Sequence, residues 1–557
     1  MTMNYGAVVN VVETPQSEPI FGSTQIPNSA GGHTWAVDDW KRLDRFLILG
    51  SEGGTYYIGE RKLTLENAEA VLRAIKTDGV RVVSRVVEIS VAGRAPKNDP
   101  ALFVLAMAAG MGDDKTKRVA LEALPQVART GTHLFTFMES VQGFRGWGRG
   151  LRKAVSRWYT KRDANTLAYQ MTKYRQRNDW SHRDALRLSH PTAPTPAHQS
   201  LFRWATKDEM TEGLPSLVGA FAKLQQMKEV GEVIRHLAQN QKLTWEMVPS
   251  EFLGEAKVWE ALLPNMLPTA LIRNLGRLTA NGLIAPLSDA VRIVTAKLSD
   301  TELLRKERVH PVAVLSALLA YDQGHGVKGN LSWEPVTQVM DALDRAFYLC
   351  FGNIEATGKR LMLTLDLSGS MGQGEVAGMP GLTPRMGAAA MALITAATEP
   401  KYVITGFTAL GDNPVRFPGQ SREGLELGVS TLPISPRQRL DDVVKCVEAY
   451  SSSHGRYSSS YRFGGTDCSL PMRYALERRI PVDAFVMYTD SETWAGNIHP
   501  SQALRNYRRE MGIPAKLVVV GMVSNEFTVA DPGDAGMMDV VGFDTAAPQL
   551  ISDFAAE

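Results

Sequence analysis

At 557 residues the chain is too long for one ordinary core, so two or more domains are expected. The hydrophobic share is 44%, and no run approaches ~18 uncharged apolar residues, which excludes a transmembrane helix. The formal net charge of +2 hides a division: residues 361–557 hold 16 basic and 22 acidic side chains, so the excess of positive charge lies before them.

Two further features bound the cell compartment. The opening MTMNYGAVVNVVETPQ has no basic leader and carries Glu13, so no signal peptide is expected. Cys350, Cys446 and Cys468 are scattered and form no CxxC or Cys/His ligand set. A reduced, cytoplasmic protein without membrane attachment is the simple reading.

The first part reads as helical. Thr64 is placed to N-cap a helix in which Leu65, Ala68, Leu72 and Ile75 recur on one face. Similar amphipathic runs lie at 101–109, 117–128, 151–159, 215–238, 256–263, 267–282, 287–297 and 311–321. Breaks such as Gly110-Met111-Gly112-Asp113 and Gly282 separate them. Many helices joined by short loops suggest an α-solenoid of HEAT-like pairs.

Within this part, residues 145–187 hold 12 basic and 3 acidic side chains, the footprint of a polyanion-binding surface. Arg149, Arg152, Lys153 and Arg157 are spaced for one broad helix face. Lys173, Arg175, Arg177, His182, Arg183, Arg187 and His190 follow, interleaved with Tyr174 and Trp180. Cations pair with phosphates, and planar side chains stack on unpaired bases. The plainer alternative is a solvated helix face. Trp158, Tyr159 and Trp204 are expected in the core, and a buried, hydrogen-bonded histidine is an equal reading of His133.

The second part alternates strands and helices, which predicts a doubly wound α/β sheet. Strands are expected at 361–366, 402–408, 484–490, 516–523 and 538–543, with helices near 386–398, 439–450, 469–478 and 499–511. Surface loops are expected at 372–384 and at the Ser-rich stretch 451–460. Leu361-Met362-Leu363-Thr364-Leu365-Asp366 is uncharged until its last residue and runs straight into Asp366-x-Ser368-x-Ser370. That is a buried parallel strand with polar groups at its carboxyl end, where open α/β sheets place ligands. The glycine-led loop Phe463-Gly464-Gly465-Thr466-Asp467 and the strand ending in Thr489-Asp490 add Thr466 and Asp490. Such hard oxygens suit Mg²⁺ first, with Mn²⁺ or Ca²⁺ also accommodated. Taken alone, Asp-x-Ser-x-Ser is more often a polar turn capping a helix.

With all three segments in order, Asp366, Ser368, Ser370, Thr466 and Asp490 resemble the metal-ion-dependent adhesion site of von Willebrand factor A domains. That resemblance implies direct metal contacts from the two serines and the threonine. It also implies acids acting largely through water, and an open position for an acidic group of a partner.

A second resemblance covers residues 36 to 545. LDRFLILGSEGGTYYIGERKLTLENAEA (43–70), GRAPKNDPALFVLAMAA (93–109), RTGTHLF (129–135), GWGRGLRKAVSRWY (146–159), TKYRQRNDWSHRDALRLSHP (172–191), LIRNLGRLTANG (271–282) and GHGVKGNLSW (324–333) are similar to the TROVE module of the Ro/SS-A autoantigen family, in its bacterial form. The order TROVE then A domain is also that family's. The resemblance implies residues 1–360 as a HEAT-like solenoid ring, closed by a doubly wound A domain at 361–557. It implies Y RNA on the outer surface, misfolded RNAs with single-stranded 3′ ends entering a central hole, and an exoribonuclease partner, polynucleotide phosphorylase, in RNA quality control. Lys173 and His190 fall on positions linked to Y RNA, and Arg129, Thr132, His133 and Arg273 are candidates to face the hole. Asp179 stands where the family motif leads one to expect Gly.

Catalysis is not expected. A Mg²⁺-dependent phosphoryl hydrolase would suit a strand-end Asp, yet the place of its usual second acid is taken by Ser368. Gly369-Ser370-Met371-Gly372 lacks a P-loop lysine. A purely protein-binding adhesion module would explain the metal residues and leave the basic helices without a role.

Overall fold

The computed structural model describes residues 13–52, 54–55, 57–326, 330–352, 354–376, 379–409, 428–451 and 465–557. Two packing units emerge. One joins the described residues up to Asn67 with those from Phe351 to Glu557, and the other spans Ala68–Cys350. The expected division at 360/361 therefore does not follow the packing at the N-terminal end.

The first unit is built on a six-stranded sheet: β1 (Leu361–Asp366), β2 (Tyr402–Phe407), β3 (Val429–Thr431), β4 (Ala484–Thr489), β5 (Lys516–Gly521) and β6 (Met537–Val541). The spatial order is β6-β5-β4-β1-β2-β3, with β3 antiparallel at the edge and the other pairs parallel. Every residue of β1 and β4 is buried, as the uncharged runs predict for strands covered on both faces. The chain reverses direction across the sheet between β1 and β4. That switch point opens a crevice beyond their carboxyl ends.

The helix Pro384–Thr398 packs on β1 and β4. Thr383 caps it by accepting from the Met386 amide, and Ala388, Ala389, Ala390 and Ala392 keep its buried face thin. Its Gly387 meets Phe543 and Met522 too closely for a side chain. The helices Leu440–Ser451, Leu470–Glu477 and Pro500–Met511 fall close to their expected positions. The strand β3 and the helix Ala547–Ala556 were not expected. Most of the Ser-rich stretch, with Phe463 and Gly464, lies outside the described residues.

The N-terminal segment belongs to this unit for physical reasons. The strand His33–Ala36 pairs antiparallel with Phe527–Thr528. The helix Asp39–Leu49, capped by Asp38, places Arg45 against Asp539 at 2.5 Å with both side chains almost fully buried. Arg42 pairs with Glu526. Backbone pairing and ion pairs at such sequence separation leave no local mark in the sequence.

The second unit is helical. The expected runs appear at Asp99–Met111, Asp114–Val127, Arg149–Thr160, Ala256–Leu262, Pro268–Ala280, Asp289–Leu298 and Pro311–Asp322. The run at 215–238 is two helices, Ser216–Leu224 and Val230–Gln239, and the intervening Gln225 bonds the Met247 carbonyl instead. Thr64 is not an N-cap. It lies inside the helix Glu60–Ala92, its hydroxyl donating to the Glu60 carbonyl. That helix is broken at Asp78, whose carboxylate accepts from the Arg81 amide. Gly282 ends its helix with φ +76°, the left-handed conformation that glycine adopts without strain. His310 Nε2 meets the Arg94 carbonyl at 2.7 Å, so late helices of this unit return to early ones.

Candidate functional site

The Asp366 site lies at the crevice between β1 and β4. Their register sets Leu365 beside Tyr488, so Asp366 closes one strand as Asp490 leaves the other. The Ser368 amide donates to Asp366 Oδ1 at 2.9 Å, which tightens the turn, and the Ser368 and Ser370 hydroxyls are 3.1 Å apart. Thr489 donates its hydroxyl to Asp366 Oδ2 at 2.7 Å and lies 3.8 Å from Cys468 Sγ, on the loop that carries Thr466. Asp366, Ser368, Ser370, Thr466 and Asp490 are all buried.

The electrostatics of this pocket are strained. Burial raises the Asp366 carboxyl, with hydrogen bonds from Ser368 and Thr489 and the charge of Arg385 opposing. Burial, then the Asp366 charge, push Asp490 up to about 7, against a hydrogen bond from Ser370. Arg385, buried beneath the loop, donates to the Ser368 carbonyl at 2.6 Å. Two destabilised carboxylates beside three hydroxyls form an all-oxygen donor set that fits a hard divalent cation. Thr489, Arg385 and Ser491 were missed from sequence. Thr489 was legible as a hydroxyl beside the strand-end acid. Ser491, with φ +64°, marks backbone strain immediately after Asp490.

The basic candidates divide into exposed and interior groups. Arg149, Arg152 and Lys153 are exposed on the first turns of the helix Arg149–Thr160, with Arg157 half-buried, and Leu151, Ala154, Val155, Trp158 and Tyr159 face inward. Arg175, Arg177, Arg183, Arg187 and His190 are exposed as well. No described carboxylate pairs with Arg149, Arg152, Lys153 or Arg177. Arg183 and Arg187 lean on the Thr206 carbonyl at 3.2 and 3.4 Å. The Trp147 and Trp180 rings lie 5.8 Å apart. A cleft of about 480 Å³ is lined by Arg175, Gln176, Ser181, Arg183, Trp204 and Asp208 among others.

A short hairpin shapes this face. Gln176–Arg177 pairs with Trp180–Ser181, and the two turn residues Asn178 and Asp179 have φ of +50° and +59°. Such a turn demands left-handed backbone at both central positions, where Gly, Asn and Asp are preferred. Asp179 therefore keeps the backbone shape that a glycine would adopt, and adds an exposed negative charge. Ser181 and Asp184 then form a capping box that starts the helix His182–Ser189.

Four candidates are wholly or partly enclosed. His182 is a core histidine: Nδ1 meets the Tyr159 hydroxyl at 2.8 Å, and Phe135 and Trp158 enclose its ring. Burial lowers it to about 4, so it is neutral at physiological pH and not a cationic phosphate ligand. His133 is brought down to about 3 by burial and by Arg129, and lies 3.4 Å from the Asn98 amide. Its ring is half-buried, between the two readings that the sequence left open. Arg129 binds the Ser90 carbonyl and hydroxyl at 2.8 and 2.6 Å near the end of a helix. Lys173 is nearly enclosed as well. Its ammonium meets the Tyr169 hydroxyl at 3.1 Å and Glu246 at 3.5 Å, and its side chain is 9% exposed. Burial opposes its charge, yet Tyr174, Tyr169 and Glu246 outweigh burial and raise its pKa. Trp158 and Tyr159 are core residues, as expected; Trp204 is half-buried. Arg273 is exposed and Thr132 half-buried.

Comparison with known proteins places these features. Residues 360–555 match the Ro60 vWA domain family, and residues 26–213 and 236–320 match the TROVE domain family. A Deinococcus radiodurans protein named RNA-binding protein RO60 is 39% identical over 551 residues, 98% of each chain. A Caenorhabditis elegans protein of the same name is 33% identical, over 95% of this chain and 90% of its own. The crystal structure of the Deinococcus radiodurans Ro (Rsr) protein superposes with a TM-score of 0.67 at 38% identity, covering 93% of this chain and 99% of that one. With both domain families matched in order and a bacterial relative aligned almost end to end, the chain belongs to the Ro family and is of the bacterial type.

Proposed function

We propose that this protein binds small structured RNAs on the exposed basic face of its helical unit, as a non-catalytic chaperone or scaffold. The observation that carries this reading is the row Arg149, Arg152, Lys153 and Arg177, exposed and without carboxylate partners, beside the Trp147–Trp180 pair. Unpaired guanidinium and ammonium groups supply the phosphate contacts, and adjacent aromatic rings offer stacking surface to unpaired bases. The two relatives' names, both RNA-binding protein RO60, support the same reading. Y-like RNA is the proposed resident ligand. Misfolded RNAs with single-stranded 3′ ends are the proposed clients, and polynucleotide phosphorylase the proposed exoribonuclease partner. Arg273 and Thr132 are proposed to meet the single strand.

The α/β unit is proposed to hold Mg²⁺ through Ser368, Ser370 and Thr466, with Asp366 and Asp490 acting largely through water. The cation would supply a Lewis-acidic docking point for a partner's carboxylate. Asp366 and Asp490 would neutralise it, and the Ser368 turn would hold the hydroxyls in place. This site favours a second role in protein binding, separable from the RNA face. No helix among the described residues is long and apolar enough to cross a membrane.

Crosslinking and sequencing the RNA that co-purifies from the protein's own cells tests the main reading. Enrichment of one or a few structured small RNAs, crosslinked within 145–190, is expected. An RNA population indistinguishable from total cellular RNA would refute it. A 3′-tailed RNA should also bind more tightly than its blunt version, and equal affinities across several sequences would leave a surface-only binder.

A further inference from the structure

We infer that Gln16 is a positioning residue of the Asp366 site, its carboxamide bracing the two loops that carry Thr466 and Asp490. The inference rests on reading Asp366, Ser368, Ser370, Thr466 and Asp490 as a divalent-cation site.

Gln16 has no exposed surface. Its side-chain nitrogen donates to Asp467 Oδ1 at 2.6 Å, across 451 residues of sequence, and to the Ile498 carbonyl at 2.7 Å. Its side-chain oxygen accepts from the Thr493 hydroxyl. Its backbone amide donates to the Gly496 carbonyl at 2.8 Å, and its carbonyl accepts from the His33 amide at 2.8 Å. A primary amide offers two N–H donors and one oxygen, and all three are used on these loops. Gly496 lets this happen: a side chain there would overlap both Gln16 and Asp467.

The contacts converge on the residues beside the candidate ligands rather than on the sheet. Asp467 follows Thr466 directly. The Thr493 hydroxyl that meets Gln16 also accepts from the Cys468 amide at 3.0 Å and lies 3.2 Å from the Thr466 carbonyl. Gln16 is thus one hydroxyl away from the main chain of Thr466. On the other loop, Asn28 donates to the Thr493 carbonyl at 2.7 Å and the Ala30 amide meets Glu492, two residues past Asp490, at 3.2 Å. A second strut acts on Asp490 itself. Arg45 donates to the side-chain oxygen of Asn525 at 2.9 Å, and Asn525 donates to the Asp490 carbonyl at 2.6 Å. Both struts begin in the N-terminal segment. Groups that orient ligands from behind usually govern metal affinity more than they govern the fold.

The test uses the full chain, with Gln16→Met, Thr493→Val and Thr493→Ser. Met keeps the length of Gln and loses its polar bonds; Val keeps the shape of Thr and loses the hydroxyl; Ser restores that hydroxyl. Mg²⁺ and Mn²⁺ affinities are read by calorimetry, and melting curves are taken with chelator and with cation. Asp366→Ala is the non-binding reference. Gln16→Met and Thr493→Val should weaken cation binding roughly 10–100-fold, with Thr493→Ser close to wild type. If both variants melt lower in chelator but bind cation as wild type does, Gln16 only stabilises the fold and the inference is overturned while the site stands. If wild type binds neither cation, the site reading fails and takes the inference with it. Should Gln16→Met not fold, the Val and Ser pair at Thr493 decides.

Discussion

Replacing Asp490 by Asn isolates the charge of the Asp366 site with little change of shape. In the folded chain Asp490 is pushed up to about 7, first by burial and then by Asp366. In the unfolded chain an aspartate titrates near ~3.9. A carboxyl raised on folding holds its proton in the native state while the unfolded chain has lost it. Its contribution is therefore fully present below the unfolded value and is lost as pH rises through about 7. Over that window the loss is roughly 4 kcal/mol at most. In chelator, wild type should melt progressively lower between about pH 4 and about pH 7, and Asp490→Asn should lack that component. His133 and His182, lowered to about 3 and about 4, act oppositely, since their contribution is lost as pH falls below the ordinary histidine value. They are present in both proteins and cancel in the difference. Saturating Mg²⁺ should take the place of the proton. It should flatten the wild-type profile and add about 2.7 kcal/mol at a hundredfold excess over Kd. Calorimetric melts across pH, with Mg²⁺ and with chelator, read both effects. Parallel pH profiles for wild type and Asp490→Asn in chelator would refute the electrostatic argument. Indifference of wild type to Mg²⁺, Mn²⁺ and Ca²⁺ would remove the cation site.

The basic helical face yields four further expectations. Neutralising Arg149, Arg152 and Lys153 together should reduce the log–log salt slope of RNA binding by roughly 2–3. Lys173→Ala with His190→Ala should weaken Y-like RNA with a smaller change of slope, because Glu246 and Tyr169 already hold the Lys173 ammonium; an unaltered affinity would remove those two residues from the site. Asp179→Gly should raise stability by about 0.5–1 kcal/mol, since glycine adopts φ +59° without strain, and a lower melting temperature would show that the carboxylate is needed. His182→Ala should cost roughly 3 kcal/mol by opening a cavity and orphaning the Tyr159 hydroxyl; a loss of RNA affinity with an unchanged melt would contradict its core placement.

What the sequence disclosed follows from the range of the physics involved. Strands β1 and β4 were legible because burial on both faces forces an uncharged run, and because function gathers at their ends. The amphipathic helices were legible where one face is apolar over several turns, as at Asp114–Val127. The helix Gly131–Gln142 was passed over because its apolar residues crowd within a polar, histidine-bearing stretch without clear period. Residues that act across the whole chain were invisible. Gln16 is an ordinary polar residue in an unremarked segment, and only the fold brings it against Asp467 and Thr493. The same reasoning explains why the packing of the N-terminal segment with the α/β unit went unread, since Arg45 and Asp539 announce themselves separately and mean something only as a pair.

The basic segment shows the limit most sharply. Counting charge located an exposed basic face, since twelve cations among 145–187 cannot all be buried. It could not sort them. Arg149 and Arg152 fall on the outer side of a helix whose inner side is fixed by Leu151, Val155 and Trp158, so a helical projection would have separated them. His182 was misassigned because it opens its helix, where no periodic pattern has begun; its fate is decided by Phe135, Trp158 and Tyr159 on other helices. Lys173 closes its helix, and Tyr169, one turn earlier, was its legible partner, whereas Glu246 was not. Charge is a property of residues, but availability of charge is a property of the surroundings. Within one basic run, the side chains offered to phosphate are those for which the fold has supplied no other partner.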